Sequence, residues 1–315
     1  IQENIQEFFG DTNNVTIIGH GYGAACAHLL MLSPMARGLF TRVVLMSGSA
    51  LSPWAIARNA ETYSIQLAKE LNCPTYDNIL MVECVRHKPV EDILGVDLQA
   101  PQYLTVFGPI IDGILVPSEP KQILESGLSD FNYYFHHNVT PPAAPPPVYN
   151  SQSVHYINNY DLLFGVTRVE APYVFSAHEE RHGLDPPKRD RILRTLVRNL
   201  FDFQQQSIFL TLMNEYTDWN RPVEHPINLL DSTVDILGDA LRVSSLIESG
   251  DLHSKWISSQ TTSTPLRSPD HPLIQSSQPY VSAPGGAGSE GMGGAGGPGT
   301  TRDARIYFYV FAYQV

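Results

Sequence analysis

At 315 residues and 43% hydrophobic composition, the chain is long and apolar enough for one large α/β domain or two ordinary ones. A formal net charge of -12 excludes the broad basic surface that nucleic-acid phosphates require. No run of about 18 apolar residues occurs, so no segment reads as a membrane span.

The opening "IQENIQEFFG" places Ile5, Phe8 and Phe9 on one side of a helical start and lacks the basic and apolar regions of a signal peptide. It reads as the beginning of a piece whose true amino terminus and targeting signals lie elsewhere. From Asn14 the pattern is strand, glycine turn, helix, strand: "VTIIG", "YGAACAHLLML", "TRVVLMSGS". That is a βαβ unit and predicts a parallel sheet with a right-handed crossover. Cys26 falls among apolar helical positions and is expected as a packed core thiol. With the first strands of the sheet missing, "VTIIG" is expected to keep an exposed edge and apolar face, leaving the fragment marginally stable.

Amphipathic helices follow around residues 58–71 and 77–94. Cys73 and Cys84 bracket "CPTYDNILMVEC" and are either bridged, a gain of roughly 2 to 3 kcal/mol by the chain-entropy relation, or two buried thiols. "VFGPIIDGILVP" mixes strand and turn, with Asp112 and Gly113 supplying the turn chemistry. Residues 138–155 break the pattern with proline and polar residues and read as an exposed insert, with His136 and His137 exposed beside it. "YDLLFGV" resumes the sheet.

"HEERH", His178 to His182, matches H-E-x-x-H, which on a helix sets two imidazoles on one face with Glu179 as general base. Lacking a third ligand and followed by Gly183, it reads as a solvated helix end, and no metal is expected. Asp185, Pro186 and Pro187 mark a helix start, after which Ile192, Leu193, Leu196, Val197 and Leu200 recur at helical spacing. Arg191, Arg194 and Arg198 form a basic stripe opposite that apolar face, either solvation or a docking surface for an acidic partner. Further helices cover "SIFLTLMNEYTDW" and "VDILGDALRVSSLIES". Residues 257–304 have too little apolar content to offset the entropy of ordering; they are expected to be a disordered insert or a gene-model artefact. "RIYFYVFAYQ" closes the chain as a buried strand. The domain therefore reads as residues 1–256 completed by 305–315.

One stretch carries chemistry by its shape. "IIGHGYG" has the outline of a G-x-S-x-G nucleophile elbow, with Gly21 where the serine stands, in the strand, tight turn and helix context that such an elbow requires. The central residue of that turn is strained by about 1 to 3 kcal/mol if it carries a Cβ, and glycine is not. Gly21 thus keeps the turn and removes the hydroxyl, while His20 and Tyr22 point away. The competing reading is an ordinary glycine-rich βα turn. Neither G-x-G-x-x-G nor G-x-x-x-x-G-K-[ST] is present, so a phosphate loop is not indicated.

The elbow, "GLFTRVVLMSGSALSPWA", "FGPIIDG", "YDLLFGVTRVEA" and "NEYTDW" together resemble the cholinesterase and type-B carboxylesterase family, and within it the neuroligin branch. The resemblance covers most of residues 5–250 and resumes at 305–314. It implies an α/β-hydrolase fold, incomplete here because the first strands and the carboxyl-terminal histidine loop are missing. Gly21 then matches the nucleophile, Glu170 the triad acid and the Tyr22 amide one oxyanion donor, while the histidine falls beyond Val315; hydrolysis is not expected.

The resemblance also implies a Cys73–Cys84 bridge and the secretory route, and a glycan at Asn138 of Asn138-Val139-Thr140. The sequon at Asn14 leads into a central strand and is not expected to be used. The family role is cell adhesion at the synaptic surface through a neurexin-like partner, with calcium only at that contact, no other cofactor, and a membrane anchor outside this sequence. "SAHEERHGLDPPKRDRILR" departs from the family's acidic, asparagine-rich segment after the triad acid, so no partner-contact residue is carried over. The family also dimerises through a four-helix bundle with one helix near the domain's carboxyl end, outside this sequence, so a homodimer is an expectation for the full-length protein. The alternatives are an active serine esterase and a non-catalytic adhesion protein of the neurotactin or gliotactin kind.

Overall fold

The computed structural model describes residues 1–126, 160–171, 175–222, 224–261 and 305–311. Four short strands, β1 (Thr16–His20), β2 (Arg42–Met46), β3 (Asp161–Thr167) and β4 (Ile306–Phe311), pair in parallel in the order β1-β2-β3-β4. Helix α1 (Tyr22–Leu32) joins β1 to β2, the βαβ unit expected from the sequence. Helices α2 (Ala60–Glu70), α3 (Asn78–Arg86) and α4 (Val90–Leu94) follow, then α5 (Pro120–Ser126). After β3 come α6 (Ala177–His182), α7 (Pro186–Leu200), α8 (Gln205–Glu215) and α9 (Pro226–Gly238). A π-turn, Asp239–Val243, links α9 to α10 (Ser244–Thr261).

Register shows which sheet face is filled. Ile17, Val43, Leu162 and Ile306 form one cross-strand row, and Leu45, Phe164 and Phe308 the next. Both rows face α1 and α10, whose Leu29, Met31, Leu246 and Leu252 complete the main core. The opposite face carries the row Ile18, Val44, Leu163 and Tyr307, with Ile18 63% and Tyr307 53% exposed. β1 and β4 have a single strand neighbour each among the described residues.

Several expectations need correction. β4 is not a buried strand: among the described residues it lies at a sheet edge, with Tyr307 exposed on the uncovered face and Val310 exposed at the strand's end on the other. Cys26 is exposed rather than packed, because α1 buries Ala24, Ala25, Ala27 and His28 and turns position 26 outward. The 77–94 helix is two helices, since Pro89 begins α4 and cannot continue α3. "VFGPIIDGILVP" holds turns only, with the Asp112 carboxylate accepting from the Ile114 and Val116 N–H groups. Ile5 to Phe8 form a 3-10 turn that leaves Phe8 and Phe9 exposed. The Pro-rich insert and most of 257–304 lie outside the described residues; α10 itself runs to Thr261.

A polar joint lies inside the core. His28 of α1 and His253 of α10 are fully buried with their Nε2 atoms 3.1 Å apart, and His28 Nδ1 accepts from the Ala50 N–H at 3.1 Å. That acceptor role leaves His28 Nε2 as the donor to His253. Burial holds His253 down at about 4, while burial and then the facing His253 hold His28 well below its ordinary value. Both imidazoles are neutral in the fold and protonate readily once unfolded, near pH 6.5. The unfolded chain therefore binds more protons below that point, and stability is complete above about pH 6.5 and falls as pH drops toward about 4. Urea denaturation is expected to lose up to about 1.4 kcal/mol per pH unit for each histidine across this window, and a His253→Gln variant to show a shallower slope between about pH 6.5 and about pH 5.

Candidate functional site

The carboxyl ends of β1, β2 and β3 converge, as they do in the crevices where open parallel sheets place their sites. At the end of β1, Gly21 is buried with φ 57° and ψ -117° and caps α1. Its N–H donates to the Met46 carbonyl at the end of β2 (2.8 Å), and its carbonyl accepts from Ala24 and Ala25 at 3.0 and 3.1 Å. The turn is tight enough that a Cβ on Gly19 would collide with the Gly23 carbonyl. Glycine at 19 is therefore a steric requirement, and at 21 a conformational one.

Past the end of β2, Ser47 is buried with φ 55°, a conformation sparse for a residue with a Cβ. Its hydroxyl donates to Glu170 Oε1 at 2.8 Å. Glu170, just past the end of β3, is buried, and the same oxygen accepts from the Thr167 N–H (2.5 Å) and hydroxyl (2.9 Å). Arg242, from the π-turn, closes the group: Nη1 donates to the Ser47 carbonyl at 2.8 Å and Nε lies 4.0 Å from Glu170 Oε2. Nη1 also stands 3.5 Å from where a Cβ on Gly21 would be. The guanidinium carbon lies 5.5 Å from the Trp54 ring centroid, and Trp54 donates to the Leu241 carbonyl at 2.8 Å.

Acyl transfer needs a nucleophile and a base that can take its proton. Position 21 offers no side chain, and the group nearest to where one would stand is the Arg242 guanidinium. Among the described residues the strand ends thus bring a buried carboxylate beside a guanidinium. Ser47 and Arg242 were not singled out by sequence reasoning. The first sits in "MSGS" directly after a strand, and the second is the lone cation in "ILGDALRVSSLI", a weak signal that a buried carboxylate partner existed elsewhere in the chain.

The remaining candidates fall apart from this group. Cys73 and Cys84 are bridged, which resolves the open alternative and ties α3 to the end of α2 around Ala68, Leu71 and Met81. In "HEERH", Glu179 completes a capping box with Ser176 and pairs with Lys188; the lysine, then Ser176, hold its carboxyl down at about 2. His182 Nδ1 lies 2.9 Å from the His178 carbonyl oxygen and the two imidazoles stack with centroids 4.3 Å apart, while the Glu179 carboxylate is taken up by Ser176 and Lys188. No group of three His, Cys, Asp or Glu among the described residues can hold a metal ion. Arg191, Arg194 and Arg198 are exposed along α7, away from its buried Leu193, Leu196 and Val197. Asn138 lies outside the described residues, as do His136 and His137. Among the described residues no helix is long and apolar enough to cross a membrane.

Residues 1–279 match the model of the carboxylesterase family. The chain is 34% identical over 263 residues to neuroligin-1 of Caenorhabditis elegans, covering 79% of this chain and 30% of that protein. It is 30% identical to mouse neuroligin-3 over 259 residues, 81% of this chain and 28% of the relative. Against human neuroligin-2 the identity is 31% over 222 residues, 70% of this chain and 23% of the relative. The chain thus spans less than a third of the length of these curated relatives.

Breaking a buried charge pair from one side leaves the other charge uncompensated, at a cost of about 3 to 5 kcal/mol. Glu170 keeps its Ser47 and Thr167 donors, so Arg242→Leu is expected to cost about 3 kcal/mol in equilibrium denaturation. Gly19→Ala, forced against the first turn of α1, is expected to cost about 2 kcal/mol or more.

Proposed function

Because the chain belongs to the carboxylesterase family, we propose that it is a non-catalytic, neuroligin-like adhesion module of the cell surface. The parallel sheet with flanking helices fits an α/β-hydrolase fold. The observation that carries the reading is Gly21: the turn that would present a nucleophile is intact, yet it presents hydrogen, and Arg242 stands over it. In this reading Gly21 and Glu170 occupy the nucleophile and acid positions of the family, and the Tyr22 amide one oxyanion position, so the machinery for ester cleavage is degenerate. Similarity to three neuroligins supports the adhesion role. The partner is a neurexin-like surface protein in synapse organisation, with calcium entering only at that contact; the membrane anchor belongs to sequence outside these residues, and Asn138 carries a glycan.

Two measurements on the full-length protein test this. A fluorophosphonate probe is expected to leave it unlabelled; stoichiometric labelling at the β1–α1 turn would restore the esterase reading. Immobilised neurexin ectodomain is expected to capture it with calcium and to release it on chelation. Absence of capture in both conditions would move the protein toward adhesion partners of another kind.

A further inference from the structure

A basic groove lies between α7 and α8, apart from the strand-end group. Its volume is about 650 Å³, and its walls include Arg191, Arg194 and Arg198 of α7 and Gln206 and Phe209 of α8. Arg194 is held in place: its guanidinium lies 4.1 Å over the Phe209 ring and its Nη1 donates to Gln206 Oε1 at 3.0 Å. Such stacking leaves the remaining N–H groups in a fixed fork and lowers the entropy lost on binding. Asp190 also lines the groove, but Arg189 already engages its Oδ1 at 2.8 and 3.0 Å. No described carboxylate pairs with Arg191, Arg194 or Arg198. On a chain of net charge -12 this is a local reversal of sign.

We propose that this groove is a docking site for an extended acidic segment of a partner protein. Along α7 the arginines span seven residues, about 10.5 Å, too far for one small anion to engage together. An extended peptide advances about 3.3 Å per residue, so carboxylates on alternate residues meet successive guanidiniums. Pro187, exposed at the start of α7, gives the groove an apolar spot suited to an intervening side chain. No two acidic residues of this sequence stand at alternate positions, so the complementary segment is assigned to a second protein. The proposal rests on the adhesion reading only for the partner being a protein at the cell surface.

The test is fluorescence anisotropy of a labelled decapeptide with glutamate at alternate positions, titrated with the full chain, against the same peptide with glutamine. The glutamate peptide is expected to bind at least about tenfold more tightly and to weaken on going from about 0.05 M to about 0.5 M salt. Arg191→Glu with Arg198→Glu is expected to abolish the difference while the far-ultraviolet circular dichroism is unchanged; Arg198→Gln alone serves if the double variant does not fold, and reduces it severalfold. Equal affinity for the two peptides, binding of neither, insensitivity to the arginine variants, or tighter binding of a sulfated oligosaccharide would each overturn the proposal. Fluorophosphonate reactivity is read separately, so failure of the groove and failure of the non-catalytic reading are distinct results.

Discussion

A single residue, Gly21, separates the end of β1 from the first turn of α1, and this close approach is possible only because position 19 lacks a Cβ. Gly21 takes a positive φ without strain, its N–H closes onto β2, and its carbonyl opens the helix. From that start α1 lays Ala24, Ala27, Leu29 and Met31 against the sheet and carries His28 inward to meet His253. The same turn aligns the ends of β1 and β2, so Ser47 reaches Glu170 past β3. A bulkier residue at 19 would lift α1 off the strand and loosen the core and the strand-end group together.

At the strand ends the structure solves a desolvation problem. A buried carboxylate is costly unless its lone pairs are filled and its charge is met. Glu170 has three hydrogen-bond donations from Ser47 and Thr167 and a guanidinium within 4.0 Å. Because Arg242 leaves the helix axis through a π-turn, where one extra residue per turn displaces side chains, it can reach β2 and β3 at once. The result joins two strand ends to the α9–α10 segment. A guanidinium serves this purpose better than an imidazole would, since it cannot lose its charge.

The α2–α3 segment has a different basis. Its apolar cluster is small, with Ala68, Leu71, Cys73 and Met81 buried and few partners beyond them. Where so little surface is buried, a bridge of 11-residue separation is a large share of what orders the two helices.

The elbow, the parallel βαβ unit, the capped start of α7 and the helical runs were legible in the sequence, because each depends on local patterns: glycine spacing, apolar periodicity, Asp-Pro-Pro. Gly21 was legible as a turn residue between strand and helix from its glycine spacing, whereas Glu170 was singled out only by the family resemblance. Cys26 was misread because periodicity within an almost uniformly apolar helix does not say which side meets the sheet. β4 was misread because strand composition reports propensity and not the number of neighbours a strand finds. The Glu170–Arg242 pair and the His28–His253 contact join residues 72 and 225 positions apart, and the Arg194–Phe209 stack joins two helices. Nothing local encodes such meetings: sequence determined the elements and the glycine turn at position 21, whereas only packing decided which charges and rings face one another, because long-range contacts follow from how layers close in three dimensions.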